Sequence, residues 1–180
     1  MRGSRLFAAA SLSAIAMVVL ACAGSQPGEC RVLPLTAEQQ QEWQQLSATL
    51  DFLPQRACGL DGMRVARLFV DTVPGGDAFE PRFNQVVEHR GARAFVFGQS
   101  RAMLAFAAIP EGTRWVQLDD VDADPGIRGF VGPSGSGGDI AYLRWRREGL
   151  SSELSASLSP SFTYADLLRL ARAMAAVNGR

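Results

Sequence analysis

The sequence predicts an α+β fold: a single antiparallel sheet of six or seven strands with an N-terminal and a C-terminal helix packed on it. Three observations carry this. Short segments alternate apolar and polar residues and are separated by turn residues, the pattern of half-buried strands. Helical spacing of apolar residues, opened by a capping signal, marks the first and the last segment of the folded region. Residues 139–178 hold both patterns in succession, a hairpin followed by a helix able to cover its apolar face.

In chain order, residues 36–50 form the first helix. Thr36 and Gln39 fit a capping box, and Trp43, Leu46 and Leu50 share one face. A strand starts at Met63, with Met63, Val65 and Phe69 pointing one way, and ends before Val73-Pro74-Gly75-Gly76. Residues 84–88 make a short strand that turns at His89-Arg90-Gly91. Residues 92–98 return, with Phe95 and Phe97 opposite Ala94 and Val96. Residues 102–109 are apolar throughout, so period alone does not separate strand from buried helix there. Further strands fall at 115–118 and 127–131, and 132–138 is a Gly-rich loop. In the final hairpin Ala141, Leu143 and Trp145 alternate with Tyr142, Arg144 and Arg146 before Arg147-Glu148-Gly149 turns the chain. The return strand sets Leu150, Leu154, Ala156 and Leu158 against Ser151, Glu153, Ser155 and Ser157. The closing helix is capped by Thr163 with Asp166 at N3, stapled by Phe162 and Leu167, and offers Leu167, Ala171 and Met174 as its apolar face. That face is the expected cover for Trp145, so Trp145, Leu167, Ala171 and Met174 are assigned structural roles.

The N-terminus assigns a compartment. Arg2 and Arg5 precede an apolar run that ends Val19-Leu20-Ala21-Cys22-Ala23, the layout of a secretory leader. The run is about 16 residues, short of the roughly 20 that span a bilayer. Its end resembles the bacterial lipobox, which implies cleavage before Cys22 and lipidation of that thiol. The expected organisation is a signal peptide at 1–21, a lipid-anchored tether at 22–35, and one extracytoplasmic domain at 36–180. Outside the cytoplasm the remaining pair, Cys30 and Cys58, most simply forms a disulfide. It closes a loop of about 28 residues, worth roughly 3.5 kcal/mol on the chain-entropy argument.

Composition excludes several classes. Removing Arg2 and Arg5 with the leader leaves 16 arginines against 18 acidic residues, so the net charge falls to about −2. Without a basic excess to release counterions, no nucleic-acid partner is expected. Every basic residue is arginine, which excludes Schiff-base lysines, Ser-Lys dyads and the phosphate-loop lysine. The one histidine, His89, and the lack of any CxxC spacing leave no zinc set, and no cofactor is expected. Gly98-Gln99-Ser100 loosely matches a nucleophile elbow, but His89 lies upstream of Ser100, against the order that fold uses. Asp120, Asp122 and Asp124 alternate like the opening of a calcium loop. Pro125 stands where that loop needs glycine, and Val131 where it needs a bidentate glutamate, so these three are weak metal candidates.

Several short motifs also resemble a known family. These are Phe52-Leu53-Pro54 with Gly59-Leu60, and the Arg90-Gly91 hairpin leading to Phe95-Val96-Phe97-Gly98-Gln99-Ser100. Ile127-Arg128-Gly129 and Tyr142-Leu143-Arg144-Trp145 follow, then the helix Thr163-Tyr164-Ala165-Asp166-Leu167-Leu168-Arg169-Leu170-Ala171. In this order they resemble bacterial extracytoplasmic domains of unknown function found in anti-sigma factors and lipoproteins. Those domains are distantly like lipoprotein carriers and envelope-stress regulators. The resemblance implies a half-open curved sheet with a helix against it, used to bind a peptide, protein or lipid, and no catalytic residues. The expectation is a lipid-anchored envelope protein acting as a non-catalytic binding or scaffold module, with the membrane and an envelope protein or lipid as partners. The competing expectation is a metal- or carboxylate-dependent envelope hydrolase, or a calcium-binding module, using Asp119, Asp120, Asp122 and Asp124.

Overall fold

The computed structural model describes residues 31–75, 78–102, 114–116, 128–133 and 139–177. The elements are β1 (Arg31–Val32), α1 (Ala37–Ser47), β2 (Cys58–Gly59), β3 (Met63–Pro74), β4 (Phe79–His89), β5 (Ala92–Ser100), β6 (Arg114–Val116), β7 (Arg128–Pro133), β8 (Asp139–Arg147), β9 (Leu150–Ser157) and α2 (Tyr164–Val177). Seven strands form one antiparallel sheet in the order β3-β4-β5-β9-β8-β7-β6. The fold is α+β, mostly sheet with two helices.

It is not the single sheet expected. A second, two-stranded sheet pairs Arg31 with Gly59 and Val32 with Cys58. Residues 31–35, read from composition as tether, are therefore partly built into the domain. Leu33 is buried, and its Cδ2 would lie 2.8 Å from a Cβ added to Gly59. A two-residue strand is too short to show a period, so composition alone gave the wrong reading there.

Both tight hairpins follow their turn residues. Arg90 and Gly91, and Glu148 and Gly149, all have φ between 49° and 81°, so each pair forms a two-residue turn with both positions left-handed. Such turns match the twist of the flanking strands. The β3–β4 hairpin is longer than expected, because Pro74 and Pro81 lie within strands that proline normally ends. The Gly75 amide donates to the Ala78 carbonyl at 2.8 Å, in register with Pro74 opposite Phe79. Residues 75, 73, 71 and 69 thus bond β4, and the position of Pro74 faces the free edge, where no donor is needed. Pro81 faces past the end of β5, whose last pair is Ser100 with Arg82.

One expected side-chain direction is wrong. Phe69 does not share a face with Met63 and Val65, because a bulge between Val65 and Arg67 reverses the alternation and sends Leu68 inward.

The core lies on one face of the sheet. Phe83, Gln85 and Val87 of β4 oppose Gln99, Phe97 and Phe95 of β5. Phe97 and Gln99 in turn oppose Leu154 and Ser152 of β9. Ala141, Leu143 and Trp145 of β8 continue the same face. Helix α1 covers the β3 end, its Trp43 meeting Phe83 edge-on with centroids 4.7 Å apart. Helix α2 covers the β8–β9 end, with Leu167, Leu170 and Ala171 fully buried. Phe97 stacks on Trp145 and Phe95 on Phe162.

Both helix caps form as the sequence requires. Thr36 and Gln39 bond reciprocally, and Thr163 and Asp166 do the same. The short α1 is further held by Gln39 Nε2, which donates to the Val65 carbonyl at 2.9 Å.

Candidate functional site

The interior between helices and sheet is packed shut, not open as a groove. Phe83, Phe95, Phe97, Leu143, Leu154, Leu167 and Leu170 leave it no accessible surface. Between the two helices an irregular segment, 48–57, crosses this face, and irregular backbone there needs partners. Two fully buried glutamines supply them. Gln85 accepts from the Ala57 amide at 2.8 Å and donates to the Gln55 carbonyl at 2.7 Å. Gln99 accepts from the Gln55 amide at 2.7 Å and donates to Ser152 Oγ at 3.2 Å. Each glutamine does for the segment what a neighbouring strand would do. Alternation places both side chains inward but does not reveal their targets, so sequence reasoning missed this clamp.

The second face carries a charged row. Asp71 takes two bonds from Arg82, at 2.9 and 2.6 Å, and one from Asn84 at 2.8 Å. Arg82 also reaches Glu153 at 3.8 Å, and Glu153 pairs with Arg144. Gly98 makes the crossing possible: a Cβ there would stand 3.2 Å from Arg82 Cδ and 3.0 Å from Asn84 Oδ1. Burial pushes the Asp71 carboxyl up, but the hydrogen bonds from Arg82 and Asn84 outweigh it and hold the group below the ordinary carboxylate range. The same pairing raises Arg82. We read the row as structural, since each of these bonds joins one strand of the sheet to its neighbour or reaches across Gly98.

The residues singled out from sequence fall as follows. Trp145, Leu167, Ala171 and Met174 join one buried cluster. Trp145 Nε1 is buried there, with no hydrogen-bond partner among the described residues. Cys58 is buried and disulfide-bonded; Cys22 and Cys30 lie outside the described residues. Asp119, Asp120, Asp122 and Asp124 lie outside them too. Among the described residues no three His, Cys, Asp or Glu side chains stand close enough to hold a metal. Ser100 is buried, donates to the Pro81 carbonyl at 2.8 Å and accepts from the Ala102 amide at 3.1 Å. His89 pairs with Ala92 while Ser100 pairs with Arg82, so seven residues of β4, about 23 Å, separate the two. They do not form a catalytic pair.

The candidate site lies at the end of the sheet where β5 stops and β8 turns into β9. There Phe52, Leu53, Gln55, Arg101, Arg147, Glu148 and Leu150 line a cavity of about 200 Å³. Leu53 is 81% exposed, on a segment the glutamines hold in place. Both guanidiniums already have partners. Arg101 pairs with the Asp51 carboxylate at 2.9 Å and donates to the Asp51 carbonyl at 2.9 Å, and Arg147 meets Glu148 at 3.9 Å and donates to the Ala175 carbonyl at 2.9 Å. The exposed pair of Arg101 with Asp51 is worth little in itself. Sequence reasoning missed this site; Leu53 entered only within the Phe52-Leu53-Pro54 motif of the family resemblance. Among the described residues no helix is long and apolar enough to cross a membrane. Comparison of the chain with protein families, with curated proteins and with solved structures finds no match.

Proposed function

We propose that the chain is a lipid-anchored envelope protein acting as a non-catalytic binding module. Its ligand is anionic and partly apolar, the chemistry shared by a lipid headgroup region and an acidic peptide end. One observation carries the reading: Leu53, with Phe52, is held on a clamped segment that faces Leu150, Arg101 and Arg147 across one cavity. An exposed leucine fixed in place costs little further ordering on binding, and two guanidiniums next to it select an anion. The lipobox-like end at Cys22 supports anchoring to a membrane on the extracytoplasmic side. The resemblance to extracytoplasmic domains of unknown function in anti-sigma factors and lipoproteins, which implies a binding role, points the same way.

Photocrosslinking tests it. A benzoylphenylalanine at Leu53 in intact cells is expected to give one discrete adduct, lost when Arg101 and Arg147 are both changed to Glu. The same probe at Arg90, an exposed hairpin position at the other end of β5, is expected to give none. Mass analysis of the adduct separates lipid from peptide. No adduct at Leu53, or identical adducts at both positions, overturns the proposal.

A further inference from the structure

Among the described residues β3 is an edge of the large sheet. Both its ends are guarded. The bulge at Ala66 and the Gln39 side chain on the Val65 carbonyl block one, and Pro74 ends the other. Between them residues 67–73 run for about 24 Å with no guard. The hydrogen-bond parity set by the Gly75 amide on the Ala78 carbonyl turns the amides and carbonyls of Leu68, Val70 and Thr72 toward the open side.

The segment is self-complementary. It reads Arg67-Leu68-Phe69-Val70-Asp71, with opposite charges two positions either side of Phe69. We infer that β3 pairs antiparallel with β3 of a second copy about a two-fold axis through Phe69, joining two sheets into one. In that register Leu68 and the partner subunit's Val70 exchange backbone bonds through the groups that already face outward. Phe69 meets the partner's Phe69 in a non-bonded pair. Arg67, whose guanidinium lies 5.0 Å over the Phe69 ring, faces the partner subunit's Asp71, and Asp71 faces the partner's Arg67. Bound to Arg82 and Asn84, the Asp71 carboxylate still has a lone pair to accept another donor. A shift by two residues in either direction loses both charge pairs. The interface is closed and isologous, so it stops at a dimer.

The test uses the full chain purified in detergent. Sedimentation is expected to show a dimer at micromolar concentration. Phe69→Cys is expected to link to itself under mild oxidation, because Cα atoms of a non-bonded antiparallel pair lie about 4.5 Å apart, within disulfide reach. Thr72→Cys serves as control, since six residues of strand, about 20 Å, separate it from its own mate in this register. Arg67→Asp sets like charges opposite each other twice and is expected to weaken the dimer about tenfold or more. Val70→Pro removes an outward-facing amide without touching the β4 ladder and is expected to leave a folded monomer. A monomeric wild type overturns the inference. So does equal linking, or no linking, by both cysteine variants, a dimer that survives Val70→Pro, or a Phe69→Cys that links to a foreign protein in place of its own copy.

Discussion

Single residues in this chain are constrained by backbone as often as by contact. Gly91 has φ 81° and nothing within 4 Å of where a Cβ would stand. Gly91→Ala is therefore expected to cost about 1–2 kcal/mol from left-handed strain alone. Chemical denaturation measures it, and a neutral result means the turn shifts freely. Gly98 is the opposite case, a strand glycine kept because Arg82 and Asn84 occupy its side-chain space. Asp71 carries a pH dependence. Its carboxyl is held below the unfolded value of about 3.9, so the stabilisation is fully present above that pH. It is lost as pH falls through the folded-state value, when protonation removes the charge Arg82 needs. Acid unfolding of Asp71→Asn is expected to be less steep below about pH 4 than that of the wild type. Matching acid limbs would show that Arg82 draws its support from Glu153 alone.

At the level of elements, local signals were legible and long-range ones were not. Arg90-Gly91, Glu148-Gly149, Thr36 with Gln39, and Thr163 with Asp166 are read from neighbours in sequence, and each forms. The pairing of β5 with β9 is a different matter. Val96 and Ser155 are far apart in the chain, and nothing in either strand names the other. The bulge at Ala66 leaves no mark in the sequence, so Phe69 was placed on the wrong face. The candidate site was not legible: Leu53 entered only as part of the family-like motif, and Arg101 and Arg147 come together only when two distant strand ends meet. The clamp on 48–57 sets a prediction of its own. Gln85→Met keeps the volume but strips partners from the Ala57 amide and the Gln55 carbonyl, at about 1–3 kcal/mol for each buried group left bare. Denaturation should show roughly 2–6 kcal/mol lost, with faster exchange at the Ala57 amide. Trp145→Ala, under α2 and stacked on Phe97, should cost about 3–5 kcal/mol as a cavity. A mild effect would mean that α2 closes onto the sheet when the ring is gone.

For the whole molecule the question is how a membrane anchor and a folded domain are joined. Arg31 and Val32 already belong to the small sheet, and the Cys58 disulfide stands beside them. If Cys22 carries the lipid, nine residues lead from it to Arg31, at most about 31 Å of fully extended chain. The domain would then be held within one domain's width of the bilayer, which favours ligands that are themselves at the membrane. Everything in this arrangement depends on Cys22. Growing cells on a palmitate analogue should label the wild type, and Cys22→Ser should lose the label and keep its leader. Several acyl chains together hold a protein stably on a membrane, so the unlabelled variant should also change its behaviour in detergent phase separation. Equal labelling of both forms would remove the anchor, and with it the reason to look for the ligand of Leu53, Arg101 and Arg147 at a membrane surface.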